Sequence, residues 1–169
     1  MQIFRVSEDH ETSARFLDNR RLSKQVLELY QIIRVCLAEM HIIEGNTRYL
    51  SHPIVKHIYN NGHPYLLDCF NMLKVMDAEH TRRGGKRSDT FKADIAHLES
   101  IIDEHRHLFN QETVPPFYVY GTDKINGEYA FKAYEQLLYE KWMNDKIAPR
   151  CGTKINEFKE KNNAKRTVN

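Results

Sequence analysis

The chain has 169 residues, 41% of them hydrophobic, with 25 Lys and Arg against 23 Asp and Glu for a formal charge of +2, so it can bury the core of one domain and not of two. Such a small excess excludes recognition of a polyanion by bulk charge; a nucleic-acid surface has to come from local clusters. Three cysteines, an odd number without Cys-x-x-Cys spacing, argue against a disulfide framework or a cysteine zinc site and for a reducing, intracellular compartment: the cytoplasm or, for a virus-encoded protein, the host cell.

In chain order, Met1 to Arg5 lacks the apolar stretch of a signal peptide, and no run approaches the roughly eighteen apolar residues of a membrane span, so no membrane contact is expected. Residues 2–6 read as short and buried or extended. Ser7-Glu8-Asp9 then starts a short helix over His10 to Leu17. Asp18 is the expected N-cap of a long helix from Asn19 to Met40, whose core face carries Leu22, Val26, Leu29, Ile33, Cys36 and Met40.

A second flank of that helix carries Arg21, Lys24 and Glu28 and continues into Ile32 and Val35. As an exposed i,i+4 pair, Lys24 and Glu28 contribute about 0.3–0.5 kcal/mol. The apolar continuation instead predicts a partly buried Glu28, a carboxylate held by cations and able to do acid or base work.

Glu44-Gly45-Asn46 reads as a turn. Ser51-His52-Pro53 caps a brief helix through Tyr59 that ends at Asn60-Asn61-Gly62. A helix from His63-Pro64 to Arg83 keeps Leu66, Phe70, Leu73 and Val75 or Met76 at helical spacing and stops at Gly84-Gly85. Ser88 to Thr90 caps the next, with Phe91, Ile95, Leu98, Ile102 and His105 on one face, ending near Phe109. Residues 111–127 are irregular, with Val114 to Tyr120 as an extended aromatic segment.

A last helix from Glu128 to Met143 presents Phe131, Tyr134, Leu138 and Trp142 or Lys141. Glu157 to Asn169 has no apolar repeat to bury. The expected fold is therefore all-α, a single compact multi-helix domain over residues 1–150 with short connections, followed by a basic, partly disordered tail over 151–169.

The run from Leu17-Asp18-Asn19-Arg20-Arg21-Leu22 through Ser23-Lys24-Gln25-Val26-Leu27-Glu28, with Gln31-Ile32 behind it and Met-Gln-x-Phe at the start, resembles the N-terminal region of pyrimidine dimer DNA glycosylases of the phage endonuclease V type and their distant relatives. Ser51 to Lys56 is similar to their His-Pro element, Glu79-His80 with Arg83-Gly84 to a later helix end, and Ala133-Tyr134 through Tyr139, Lys141 and Trp142 to an aromatic last helix.

The resemblance implies a DNA N-glycosylase of base-excision repair with associated abasic-site lyase, or endonuclease, activity on damaged or modified bases. It implies a Schiff-base mechanism without metal or cofactor. The nucleophile is the α-amine of the chain, here Met1, because the bulky Gln2 discourages removal of the initiator. An α-amine suits the role because its reference pKa, about 7.7–8.0, leaves a useful neutral fraction near pH 7. Glu28 matches the catalytic carboxylate that stabilises charge on the sugar and moves protons. Lys24 is the reserve nucleophile.

DNA contact is expected from Arg20, Arg21, Lys24, Gln31, His52, Arg82, Arg83, Lys86 and Arg87, and base stacking from Tyr120, Tyr139 and Trp142. His52 also reads as an ordinary helix-start residue, and the 82–87 cluster as cations and glycines that end a helix. Two rival readings are a non-catalytic helical nucleic-acid-binding module and a metal-dependent hydrolase built on His97, His105, His107, Asp94 and Asp103. A monomer is expected.

Overall fold

The computed structural model describes residues 1–149; the expected tail over 151–169, with Cys151 and the basic stretch 154–166, lies outside the described residues. Asp9 accepts from the Thr12 N–H at 3.0 Å and opens α1 (His10–Phe16). Asp18 accepts from the Arg21 N–H at 3.2 Å and opens α2 (Asn19–Glu39), as its residue type and position predict.

Helix α2 is buried on two sides. Leu22, Val26, Leu29, Ile33 and Cys36 form the expected core face, while Ile32, Val35 and Leu37 are buried as well, so the apolar continuation beyond Glu28 faces protein. Truncating a residue such as Leu29, with no exposed surface, to Ala typically costs about 2–5 kcal/mol.

His52 caps α3 (Pro53–Tyr59), its Nδ1 accepting from the Ile54 N–H at 3.2 Å, and Asn60 in the left-handed region ends it. Helix α4 (Leu66–Arg82) buries Leu66, Phe70, Leu73 and Met76 against α2 and α1, and stops where Gly84 takes a φ of +88°. Helix α5 (Asp89–Glu104), capped by Ser88, is more lightly attached. Of its expected face only Leu98 and Ile102 are buried, while Phe91 meets Tyr30 edge-on with ring centroids 5.3 Å apart.

The mainly helical expectation holds, with one addition in the segment read as irregular. Strands β1 (Phe117–Tyr120) and β2 (Asp123–Asn126) pair antiparallel, Tyr120 facing Asp123, around a two-residue loop whose Gly121 adopts φ +59°. Each strand has four residues, too few for an alternation to stand out, and β2 reads as polar. Helix α6 (Tyr129–Asn144) packs on this hairpin and carries the buried Tyr134, Leu138 and Trp142.

The segment before the hairpin is tied to the core through charged groups. Arg5 donates to the Val114 carbonyl at 2.8 Å, Asp68 accepts from the Val114 N–H at 2.7 Å, and His10 Nε2 lies 2.8 Å from Asp68. Burial pushes the Asp68 carboxyl up, but hydrogen bonds from His10 and Val114 outweigh it and hold it below its ordinary value. Burial also pushes the Cys36 thiol up to about 12 and the Cys69 thiol well above its ordinary value, so neither is a reactive thiolate. No helix among the described residues is long and apolar enough to cross a membrane.

Candidate active site

The first residues of the chain run along α2, and a buried glutamine holds them there. Gln25 Oε1 accepts from the Phe4 N–H at 2.8 Å, and its Nε2 donates to the Gln2 carbonyl at 3.0 Å. Ile3 and Phe4 are buried, Gln2 and Met1 half-buried. The N-terminal amine comes within electrostatic reach of His52, whose imidazole is held below its usual value by burial and then by that amine. His52 is thus the helix-start residue of α3, as one of its two readings expects, and it also lies near the start of the chain.

Gln2, Phe4, Arg20, Arg21, Lys24, Glu28 and Lys141 line one open cleft of about 210 Å³. The Glu28 side chain is 14% exposed while its i−4 neighbour Lys24 is 73% exposed, with Lys24 Nζ 3.7 Å from Glu28 Oε1. Glu28 thus sits low in the cleft and Lys24 on its rim, an arrangement set by Ile32 and Val35 continuing the Glu28 flank into the core. The Glu28 charge is also felt by the Tyr134 hydroxyl, which burial and nearby negative charge push up and which accepts from the Val119 N–H at 3.3 Å.

The cations expected on this flank divide. Arg20 is exposed and lines the cleft. Arg21 is turned into a structural tie: its guanidinium bonds Asp145 through both terminal nitrogens, at 2.7 and 3.2 Å, and Asp18 at 3.2 Å. The Asp145 carboxyl is held below its ordinary value by Arg21 in turn. Occupied this way, Arg21 has no fork left for a phosphate. Lys141 of α6 takes a place in the cleft, its Nζ 5.0 Å from the Tyr120 ring centroid.

The 82–87 turn divides in the same manner. Arg83 donates to Glu79 at 3.0 Å, to the Leu17 carbonyl at 2.7 Å, to Asn19 at 3.0 Å and to the carbonyls of Ala14 and Arg15. Arg87 bonds Asp77 at 3.1 Å and both the hydroxyl and carbonyl of Ser23 at 3.2 Å. These two expected DNA contacts are internal clamps that dock the turn on the start of α2. Arg82 is exposed but paired with Glu79, and Lys86 is exposed. Gln31 is exposed one turn beyond Glu28 and does not line the cleft.

Two of the three expected stacking residues need correction. Trp142 is 5% exposed and donates to Asp18 at 2.7 Å; the buried Tyr139 ring packs edge-on against both Trp142 and Phe16, and Trp142 lies tilted against Phe16. They face α1, so neither presents a ring to a base. Tyr120 is exposed at the hairpin tip.

The histidines of α5 and its following turn do not converge: among the described residues no three His, Cys, Asp or Glu side chains are placed to share a metal ion. Gln25 and Lys141 are not among the expected site residues, and Tyr134 reads as a core residue of the last helix. All three lie in the motifs that carry the family resemblance, but their roles here depend on partners far away in the chain.

Comparison with known proteins adds one match. The family model described as pyrimidine dimer DNA glycosylase matches residues 1–93, just over half of the chain and the part that holds α1 to α4 and the N-terminal segment. No curated protein and no solved structure matches the chain.

Proposed function

The chain belongs to the pyrimidine dimer DNA glycosylase family, and from that premise we propose that it removes damaged or modified bases through an imine between its own α-amine and deoxyribose, followed by strand cleavage. The observation that carries this reading is one cleft in which Gln2 and Phe4 of the pinned N-terminal segment meet Glu28, rimmed by Arg20, Lys24 and Lys141. Met1 does not itself line this cleft, but it adjoins Gln2, which does, so an amine on a segment pinned to α2 and a carboxylate of that helix can address one sugar without reordering the chain.

In the proposed sequence, the neutral Met1 nitrogen bonds to C1′ as the bond from C1′ to the base breaks and the base leaves with a proton. Opening of the C1′–O4′ bond, with a proton passing to O4′, leaves the iminium. Glu28 stabilises that positive charge and then takes a proton from C2′, and the 3′ phosphate departs. Arg20, Lys24 and Lys141 hold the flanking phosphates, and Tyr120 offers its exposed ring to an unpaired base. His52 lies on the amine side of the site.

Borohydride trapping tests this. Protein of verified intact mass, with Met1 at its start and its amine free, is expected to form a covalent adduct with abasic or lesion-bearing DNA, and the trapped peptide is expected to contain residue 1. An adduct mapped to Lys24 would move the nucleophile to the rim of the same cleft. Tight DNA binding with no adduct on any such substrate would leave a binding module.

A further inference from the structure

The N-terminal segment pairs with no strand among the described residues, yet Gln25 of α2 binds its backbone at two points, and Tyr134 of α6 comes close to the residue between them. The Gln2 carbonyl and the Phe4 N–H are taken by Gln25, and the Ile3 N–H approaches the Tyr134 hydroxyl oxygen. Resting on the reading that the Met1 amine is the nucleophile, we propose that Gln25 is a positioning residue that sets the amine against Glu28, with Tyr134 as its backstop.

Four observations support this. Gln25 is 1% exposed, so its amide keeps its orientation instead of exchanging partners with water. A carboxamide offers an acceptor and a donor in one plane and so holds a backbone by two points, imitating a rung of a sheet. Tyr134 is equally buried, is fixed from the other side by the Val119 N–H, and packs edge-on against Phe4 with centroids 5.6 Å apart.

The fourth observation is one of reach. Extended chain advances about 3.3 Å per residue, and three residues of helix advance about 4.5 Å. Two residues of chain, about 6.6 Å when extended, separate the Met1 amine from the clamped Gln2 carbonyl, and Glu28 is three residues along α2 from Gln25. Amine and carboxylate are therefore each tied to one anchor by a short stretch of chain. A chain terminus without such an anchor samples many positions and loses the advantage of a prepaid orientation.

The variants Gln25→Glu and Gln25→Leu separate positioning from mere satisfaction of a buried amide. In Gln25→Glu the protonated carboxyl keeps both bonds, its O–H donating to the Gln2 carbonyl and its C=O accepting from the Phe4 N–H. Once ionised, that carboxyl loses the donor and opposes the Gln2 oxygen. With abasic DNA and borohydride, the single-turnover trapping rate of Gln25→Glu relative to wild type at the same pH is expected to be near parity at about pH 5 and to fall about tenfold or more by about pH 8, because burial raises the pKa of such a carboxyl into that interval.

DNA affinity is expected to stay within about twofold, since the side chain touches no phosphate. Gln25→Leu is expected to trap poorly at every pH. Amide exchange of Ile3 and Phe4, corrected for intrinsic rates, is expected to follow the same pattern.

A rate ratio for Gln25→Glu that is flat with pH overturns the proposal, as does unchanged trapping by a folded Gln25→Leu. If wild type forms no adduct at all, the catalytic reading fails by itself, and exchange then decides the anchor: pH-reversible loss of Ile3 and Phe4 protection in Gln25→Glu keeps it, and unchanged protection ends it.

Discussion

Two basic regions face each other across the start of α2, one on the helix itself between Arg20 and Glu28 and one in the 82–87 turn, and they use their charge in opposite ways. On the helix, Arg20 and Lys24 reach solvent around a recessed carboxylate, and only Arg21 is tied down by Asp18 and Asp145. In the turn, which is richer in cations, Arg83 and Arg87 face inward and hold backbone carbonyls and carboxylates of other elements. The density of positive charge along a sequence is therefore a poor guide to a phosphate surface. The number of acceptors that the rest of the fold presents to each guanidinium decides it.

The contrast is broken most severely at Glu28. Glu28→Gln is expected to lower adduct formation on abasic DNA by about 10²–10⁴, the usual range for a lost proton-transfer group, while the unfolding midpoint and DNA affinity are kept. A variant that traps as fast as wild type would detach the carboxylate from the chemistry.

Arg83→Ala attacks the other region. Because it leaves the carbonyls of Ala14, Arg15 and Leu17 without their donor and removes the inward partner of Glu79, which is 7% exposed, it is expected to cost about 1–3 kcal/mol in urea unfolding. Arg82→Ala, removing the solvent-facing partner of the same carboxylate, is expected to lower the midpoint by less, because Arg83 still holds Glu79 and its backbone acceptors. Equal effects of the two would dissolve the distinction between clamp and surface pair.

Single replacements of Arg20, Lys24 or Lys141 by Ala are expected to leave stability unchanged, to weaken DNA binding similarly on all sequences, and to reduce the slope of log affinity against log salt by about one each. Arg87→Ala is expected to do the reverse, lowering the unfolding midpoint with little change in the slope. Fluorescence anisotropy across a salt series, beside urea melts, checks both.

The smallest effect concerns pH. Glu79 is held below its ordinary value first by the Arg82 hydrogen bond and, against the opposing effect of burial, by Arg83. A carboxylate depressed in the folded state adds stability that is complete above its unfolded pKa, about 4.3 for Glu, and is lost as pH falls below that value toward the folded one. Wild type is expected to lose stability between about pH 5 and pH 3, and Arg83→Ala to lose less over the same interval. Parallel curves would mean that the pair is not coupled to folding.

Much of the frame was legible in advance because its signals are local. Asp18, Ser88 and the His52-Pro53 pair mark helix starts, and the 3.6-residue spacing of Leu22, Val26, Leu29 and Ile33 marks the core face. The flank that placed Glu28 beside Lys24, with Ile32 and Val35 behind, correctly implied a recessed carboxylate. The hairpin escaped because two four-residue strands carry almost no periodic signal. Tyr139 and Trp142 were misplaced for a related reason: aromatic residues on a helix look alike whether they face a base or, as here, Phe16 and Asp18.

What the amino-acid sequence determined by itself is where the helices begin, which faces they bury, and that one carboxylate and its cations share a helix, since caps and periodicity act over a few residues. Tertiary structure alone decided which cations stay open and where the chain begins in space. Arg21 meets Asp145, and Trp142 meets Asp18, each across 124 positions, while Gln25 reaches back 21 residues to hold Phe4. Such pairings depend on distance in the folded molecule, which no local pattern of residues encodes.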